Sequence, residues 1–271
     1  MKSPPPARTQ APPCAGDLMD KTSVIRFRCR PGLPCFTACC QDVNIFLSAY
    51  DVLRLKKRLG LPSGEFLSRY TKTLISSSGK LPLVQLKMEG QEKRCPFVTP
   101  EGCTVYEDRP WACRMYPLDR TDDGGKFFFL AADNVCLGRR ESVQWTVEEW
   151  LLSQEVEPYE DMDRKFQVVT CNPRLLSEGL KDPKLQQMFW MASYDLDTFR
   201  RFVFESRFLQ KFDLEPETIE LVRTDDFALL HLALRWLQFG LVCADVLPIR
   251  EEVKKQEMAR AGKTERSDGP S

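Results

Sequence analysis

The chain has 271 residues, of which 42% are hydrophobic, and its 39 basic residues balance its 39 acidic residues. This length is sufficient for a core that needs no covalent cross-links, and the composition excludes a wholly disordered chain. The balanced charge argues against strong electrostatic binding of nucleic acid, so we expect no nucleic-acid partner.

The N-terminal segment lacks the apolar core of a secretory signal, and no stretch approaches the roughly 20 apolar residues of a membrane span. We therefore expect a cytoplasmic protein with no membrane contact. Composition divides the chain into four regions: a disordered Pro-rich arm (1–22), a cysteine-rich region (23–140), a mainly helical region packed on it (141–248), and a charged, partly disordered tail (249–271).

The cysteine-rich region alternates short predicted elements. Ser48 and Asp51 have the spacing of a capping box that opens a helix, and Gly60 ends that helix. Ser63 is expected to cap a second, shorter helix. Apolar residues then alternate in "LPLVQLKM", which predicts a strand, and "TVY" and "KFFFL" predict two more short strands.

The C-terminal region has helical periodicity. Thr146 and Glu149 form a second predicted capping box. Helices are expected within 157–171, 182–212 and 225–247, and the stripe Phe199, Phe202, Val203, Phe208 and Phe212 is expected to be core. The prediction is one α+β domain, in which a cysteine-rich module of loops and short strands packs with a mainly helical C-terminal half.

Eleven cysteines are unusual for a cytoplasmic protein, and their number suggests metal binding or catalysis more than disulfides. Eight of them are clustered: Cys29, Cys35, Cys39, Cys40, Cys95, Cys103, Cys113 and Cys136. Cys171 and Cys243 lie in or near apolar helical patterns and are expected to be buried as small hydrophobic residues.

Eight thiolates could form two closed tetrathiolate zinc sites, or hold one iron–sulfur cluster and leave four thiols over. No C-x-x-C pair and no ferredoxin spacing occurs, and the single histidine, His231, excludes a Cys2His2 finger. The spacing therefore predicts a metal site but leaves zinc or iron open, and redox switching without metal is a further alternative. Arg30, Arg94 and Arg114 each adjoin a cysteine, where a cation would favour the thiolate.

Other polar residues receive a plainer interpretation. Asp161 and Asp163 are expected on a solvated helix face rather than as an acid–base pair. Arg109 is expected to stabilise its own loop through backbone carbonyls.

The segments "FRCRPGLPCFTACC" and "CPFVTPEGCTVYEDRPWACRMYP" resemble the YkgJ-like cysteine-cluster proteins, which are described as zinc- or iron-chelating and sometimes as iron–sulfur proteins. The resemblance covers residues 25–140. The matching positions of the second segment are Gly102, Cys103, Val105, Tyr106, Arg109, Pro110, Cys113, Arg114, Tyr116 and Pro117. The first segment is less compact than the common C-x-x-C-G-x-C-C form.

The resemblance implies a metal-binding protein whose eight clustered cysteines are the ligands and whose partner is a metal ion, with an unidentified protein partner left open. The family also includes flagellin lysine methylases, so the alternative function is an enzyme of that type or an iron–sulfur redox protein. No G-x-G-x-x-G turn after a strand supports a methyl-donor site. We assign no catalytic residue.

Overall fold

The computed structural model describes residues 17–121, 124–242 and 245–255. Most of the predicted N-terminal arm, part of the C-terminal tail, and Cys14 and Cys243 lie outside the described residues. The chain forms two compact units. The cysteine unit comprises the chain up to Leu61 with Glu65–Leu74 and Leu83–Arg164, and the helical unit comprises Pro62–Gly64, Ile75–Pro82 and the chain from Lys165.

Short strands and helices alternate up to residue 170. They are β1 (Val24–Arg26), β2 (Phe46–Leu47), α1 (Ala49–Leu59), α2 (Ser63–Tyr70), β3 (Thr71–Ile75), β4 (Pro82–Leu86), β5 (Val98–Thr99), β6 (Gly102–Cys103), α3 (Trp111–Met115), β7 (Leu118–Arg120), β8 (Phe127–Phe129), β9 (Gln144–Thr146), α4 (Val147–Ser153) and α5 (Glu157–Thr170). Three 3-10 turns lie at Ala38–Cys40, Tyr106–Asp108 and Leu137–Arg140.

The strands form small sheets. Strands β1 and β9, β5 and β6, and β7 and β8 form antiparallel pairs, and a three-stranded sheet has the order β2-β4-β3. These sheets, together with the helices of the C-terminal half, confirm the predicted α+β class.

One apolar core supports the cysteine unit. Its members are Met19, Ile25, Phe27, Met115, Leu118, Phe127, Phe129, Cys136, Val147, Trp150 and Val156. The indole N–H of Trp150 donates to the carbonyl oxygen of Met115 at 3.4 Å. Burying each large apolar side chain contributes roughly 1.5–3 kcal/mol. Because α4 supplies Val147 and Trp150 to this core, residues 141–164 belong to the same unit as the cysteines.

Some packed residues lie just outside the range 23–248, between the predicted disordered arm and the predicted tail. Met19 is 2% exposed and forms an isolated bridge with Phe127. Ile249 forms a similar bridge with Phe212 in the helical unit.

Both predicted capping boxes are confirmed. The Ser48 hydroxyl accepts from the Asp51 N–H, and Thr146 and Glu149 form the corresponding pair at α4. Gly60 ends α1 with φ 65°, a left-handed conformation that glycine adopts without strain.

The expected cap at Ser63 is wrong. Ser63 is the first residue of α2, and its hydroxyl has no hydrogen-bond partner among the described residues. The Asp197 carboxylate, distant in sequence, instead accepts from the Ser63 N–H at 2.5 Å.

Two of the three predicted strands are confirmed as β4 and β8. The strand expected at 104–106 is wrong, because the hairpin closes one residue earlier. The backbone N–H and the hydroxyl of Thr104 both donate to the Phe97 carbonyl oxygen, at 2.8 and 3.1 Å. The chain then enters the 3-10 turn at Tyr106–Asp108.

The helical unit contains α6 (Pro173–Glu178), α7 (Pro183–Ser193), α8 (Leu196–Glu205), α9 (Phe208–Lys211), α10 (Pro216–Thr224), α11 (Asp226–Leu237) and a π-helical turn at Gln238–Val242. Helix α11 packs against α7, α8 and α10. The predicted aromatic stripe is core: Phe199, Val203, Phe208 and Phe212 are buried, and the rings of Phe202 and Trp236 lie 4.9 Å apart.

The burial expected for Cys171 is wrong. Cys171 is exposed because it follows the last residue of α5, Thr170, in a turn. In the described part of the chain, none of the helices has the length and apolarity that crossing a bilayer requires.

Candidate metal centre

The structure places all eight clustered cysteines in the cysteine unit, and all eight are free thiols. Cys29 and Cys35 lie in the loop after β1, and Cys39 and Cys40 lie in the 3-10 turn at Ala38–Cys40. Cys95 precedes β5, Cys103 is on β6, Cys113 is in α3, and Cys136 immediately precedes the 3-10 turn at Leu137–Arg140.

One group of contacts joins the vicinal pair to the β5–β6 hairpin. The backbone N–H of Cys95 donates to the carbonyl oxygen of Cys40 at 2.8 Å. Cys103 lies directly opposite Val98 in the hairpin that Cys95 precedes. Burial raises the pKa of Cys113, and the neighbouring thiols of Cys95 and Cys103 raise it further.

A second group of contacts joins the loop after β1 to Cys136. The Arg28 N–H donates to the Gly138 carbonyl oxygen at 3.0 Å, and the Leu137 N–H donates to the Cys35 sulfur at 3.3 Å. Cys29 lies within electrostatic reach of Cys39, Cys136 and Cys35. Cys39 is also within electrostatic reach of Cys95, Cys103 and Cys113, so it links the two groups of contacts.

Backbone N–H groups affect the ionisation of several thiols. The N–H groups of Phe97, Val105 and Gly138, each two residues after a cysteine, lower the pKa of Cys95, Cys103 and Cys136 respectively. N–H donors of this kind stabilise sulfur as thiolate, the form that a metal binds.

Tyr116 has a role that the sequence did not reveal. Its hydroxyl donates to the Cys136 sulfur, which lowers the pKa of Cys136, while burial and this bond raise the pKa of Tyr116. Its position in the "RMYP" motif marked it as part of the pattern but carried no sign of this contact.

Burial and mutual repulsion hold most of the thiols protonated. Desolvation raises the pKa of Cys29 to about 12 and that of Cys95 to about 11. Within the vicinal pair, a hydrogen bond from the Cys40 thiol lowers the pKa of Cys39, and the same bond raises the pKa of Cys40. Several thiolates can coexist in so small a region only if a cation offsets their charge.

The arginines next to cysteines do not act as predicted. Arg30 pairs with Glu141 at 3.1 Å and Arg94 pairs with Glu92 at 2.9 Å. Adjacent side chains project in different directions, so neighbourhood in sequence does not place charge on the sulfur. The charge of Arg109, which does not adjoin a cysteine in the sequence, lowers the pKa of Cys103.

Arg114 is 2% exposed and binds backbone carbonyls rather than a thiolate. Its Nε donates to the Arg109 carbonyl at 3.1 Å, its Nη1 donates to the Gln154 carbonyl at 2.7 Å, and its Nη2 donates to the Glu107 carbonyl. Arg114 therefore fixes the loop that leads into α3 and Cys113.

Arg109 acts on the same loop. It donates to the carbonyl of Tyr106 and to Oε1 of Gln154. The predicted stabilisation of its own loop is confirmed.

The thiols are grouped without being arranged as a finished coordination sphere. In the part of the chain that the structure describes, no three side chains of His, Cys, Asp or Glu are placed so that they could hold a metal ion as they stand. To bring the sulfurs around one ion, cysteine side chains would have to rotate about χ1 into another staggered rotamer. The all-sulfur donor set is one that zinc and iron–sulfur clusters use.

The cysteine-rich region matches a model of a known protein family. A model of the CxxCxxCC family, described as "Putative zinc- or iron-chelating domain", matches residues 28–137. The matched region contains all eight clustered cysteines and supports the binding of a metal ion by this part of the chain. No curated protein and no solved structure matches the chain. The closer resemblance to YkgJ-like proteins, the enzyme alternatives and metal-free redox switching stay predictions.

Proposed function

We propose that residues 29–136 form a chelating module that binds zinc or iron exclusively through cysteine thiolates. The ligands are Cys29, Cys35, Cys39, Cys40, Cys95, Cys103, Cys113 and Cys136. The bound cation supplies the positive charge that lets buried thiols ionise together, and it joins segments that are distant in sequence.

The observation that carries this proposal is the hydrogen bond that the Leu137 backbone N–H donates to the Cys35 sulfur, at 3.3 Å. Backbone N–H groups also lower the pKa of Cys95, Cys103 and Cys136. A thiol that merely fills core space has no need of an N–H donor, whereas metal-bound sulfur is stabilised by one.

A second observation concerns what supports the loop after β1. No residue from 28 to 46 is buried, although the flanking Phe27 and Leu47 are 2% and 3% exposed. A loop of this length whose apolar side chains are at most partly buried has little to offset its conformational entropy. Thiolate–metal bonds at Cys29, Cys35, Cys39 and Cys40 would provide the missing stabilisation.

The test is metal analysis of protein purified under anaerobic conditions, combined with its absorption spectrum. We expect at least about one metal ion per chain, colourless with zinc and brown with an iron–sulfur cluster. Cys113→Ser should lower the metal content, whereas Cys171→Ser changes an exposed cysteine in the helical unit and should leave it unchanged. Wild-type protein with less than about half a metal ion per chain would contradict the proposal.

A further inference from the structure

We propose that strand β3 (Thr71–Ile75) is a docking edge for an extended, acidic segment of a partner protein, which adds to the sheet as an antiparallel strand. The inference concerns the free backbone edge of this strand and the charges beside it. It does not involve the cysteines, so it does not depend on the proposed metal binding.

Strand β3 is an edge strand with a regular neighbour. The sheet order is β2-β4-β3, so β3 pairs with β4 on one side alone. The Lys87 N–H donates to the Tyr70 carbonyl oxygen at 2.8 Å, and the Ser76 N–H donates to the Leu81 carbonyl oxygen at 2.9 Å. Between these two bonds the residue numbers rise along β3 and fall equally along β4, so the pair is antiparallel and contains no bulge.

This register decides which backbone groups of β3 are left unpaired. It places Lys72 opposite Gln85 and Leu74 opposite Leu83, with the N–H and C=O groups of these residues directed at β4. The N–H and C=O of Thr73, which lies between them, therefore point away from β4. Among the described residues, neither group of Thr73 has a hydrogen-bond partner.

The edge is also accessible. Thr71 is buried, but every other residue of β3 is exposed, whereas the middle residues of β4 are buried. Leu74 and Ile75 are 39% and 53% exposed. Native proteins commonly protect an edge strand with proline, a bulge or a covering segment, and β3 contains neither proline nor a bulge.

Positive charge beside the strand indicates the chemistry of the partner. Lys72 is exposed and lies on the same sheet face as Lys87, because Lys87 is opposite Tyr70. The Arg69 guanidinium lies over the Tyr70 ring, and the Lys87 ammonium donates to the Ser68 carbonyl oxygen at 2.6 Å. Within the described part of the chain, none of these three cations pairs with a carboxylate, so carboxylates on an added strand would complement them.

The register predicts the order of side chains in the partner. Around Thr73, every second residue of an antiparallel strand faces first Leu74, then Lys72, then the end of β3 where Arg69 and Lys87 lie. The first of these partner residues should be apolar and the next two acidic. Between them, β-branched residues are suitable.

A second copy of β3 is a poorer match for this edge. Two copies that pair about Thr73 would bring their Lys72 side chains to diagonal positions, where like charges repel. Sedimentation velocity tests this alternative. A wild-type dimer that Thr73→Pro converts into a monomer would overturn the proposal of an acidic partner.

A synthetic peptide tests the proposed chemistry directly. The labelled peptide Thr-Val-Thr-Glu-Thr-Glu-Thr has the predicted order, and fluorescence anisotropy measures its binding to the full chain. We expect saturable binding with a Kd below about 1 mM. The same peptide with lysine in place of glutamate should bind at least about fivefold more weakly. Absence of saturable binding, or equal binding of the two peptides, would overturn the proposal.

Two substitutions separate backbone pairing from charge. Thr73→Pro removes an outward N–H but no bond to β4, and it should weaken binding by about tenfold, whereas Thr73→Val retains the N–H and should not. Lys72→Glu should weaken binding by about fivefold at low salt and by less at high salt. Lys184→Glu reverses an exposed lysine on α7 and is the matched control, with unchanged binding expected. Full binding by Thr73→Pro would overturn the proposal.

Amide hydrogen exchange of wild-type protein covers the case in which Thr73→Pro fails to fold. In the free protein, the Thr73 N–H should exchange faster than the N–H groups of Lys72 and Leu74, which face β4. Saturating peptide should slow exchange at Thr73 most. Unchanged exchange there would overturn the proposal, and metal analysis of the same sample reports on chelation separately.

Discussion

The carboxylate of Asp51 in α1 accepts a hydrogen bond from the backbone N–H of Trp111, sixty residues away, at 2.8 Å. Its second oxygen accepts from the Ser48 N–H at 2.9 Å, as the capping box requires. Asp51 is 2% exposed, so neither bond has water as a ready substitute. One side chain thus joins the start of α1 to the start of α3, the helix that contains Cys113.

Asp51→Ala should therefore weaken both the fold and the metal site. It leaves two partly buried N–H groups without their acceptors, and we expect the free energy of unfolding to fall by about 2–4 kcal/mol. Chelator should also remove metal faster than from wild-type protein, because the helix that carries Cys113 is no longer held. Chemical denaturation and the rate of metal loss measure the two effects.

Ser48→Ala is the matched control for Asp51. It removes the hydroxyl from the same capping box, which costs about 1 kcal/mol, but leaves the bond to Trp111 in place. Equal rates of metal loss from the two variants would contradict a positioning role for Asp51.

Arg114→Lys tests the buried guanidinium. Lysine cannot reproduce the three donors that meet the carbonyls of Arg109, Gln154 and Glu107, so we expect destabilisation of about 3 kcal/mol. Arg94→Lys is the control, because Arg94 also adjoins a cysteine but is 52% exposed and pairs only with Glu92. That change should cost less than about 1 kcal/mol. The denaturant midpoints of the two variants measure these losses of stability. Similar losses in both variants would contradict this role of Arg114.

Asp163 introduces a pH dependence into the cysteine unit. Burial raises its pKa from 3.8 to about 6, and the charge of Asp51 adds to the shift. Because the folded-state pKa is the higher one, the stability that Asp163 contributes is present below pH 4 and lost as pH rises through about 6. The sequence had predicted a solvated helix face; Asp161 is exposed, whereas Asp163 is partly buried.

Asp163→Asn should accordingly be more stable than wild-type protein at pH 7.5, by up to about 2 kcal/mol, and should lose this advantage by pH 4. Urea denaturation at several pH values measures the difference. Asp161→Asn changes an exposed carboxylate two residues earlier on α5 and should show no comparable trend. A stability difference in favour of Asp163→Asn that increases as the pH falls would contradict the prediction.

Metal binding should be strongly pH-dependent. Cys29 and Cys95, with pKa values of about 12 and about 11, must lose their protons when they bind a cation. Affinity for zinc should therefore fall by about tenfold or more for each pH unit below neutrality, with protons released on binding. Competition with a coloured chelator between pH 6 and 8, and calorimetry in two buffers, would measure this. Affinity independent of pH would argue against thiolate ligands.

Local features of the structure were predictable from the sequence because short-range contacts decide them. The boxes Ser48–Asp51 and Thr146–Glu149 and the helix end at Gly60 each depend on residues within one turn. The cysteine pattern likewise identified the residue types that point to metal chemistry. The expected cap at Ser63 was wrong because Ser63 is the first residue of α2, and its own N–H donates to Asp197, which is far away in the sequence.

The sequence by itself determined which thiols are candidates for metal binding, since spacing and residue type are local properties. Only the tertiary structure decided which of them are neighbours. The bond from Cys95 to Cys40 and the bond from Leu137 to Cys35 each close a loop of many residues. Such contacts form when the whole unit packs, because the entropy lost in closing a long loop is offset only by burial and bonding elsewhere in the fold.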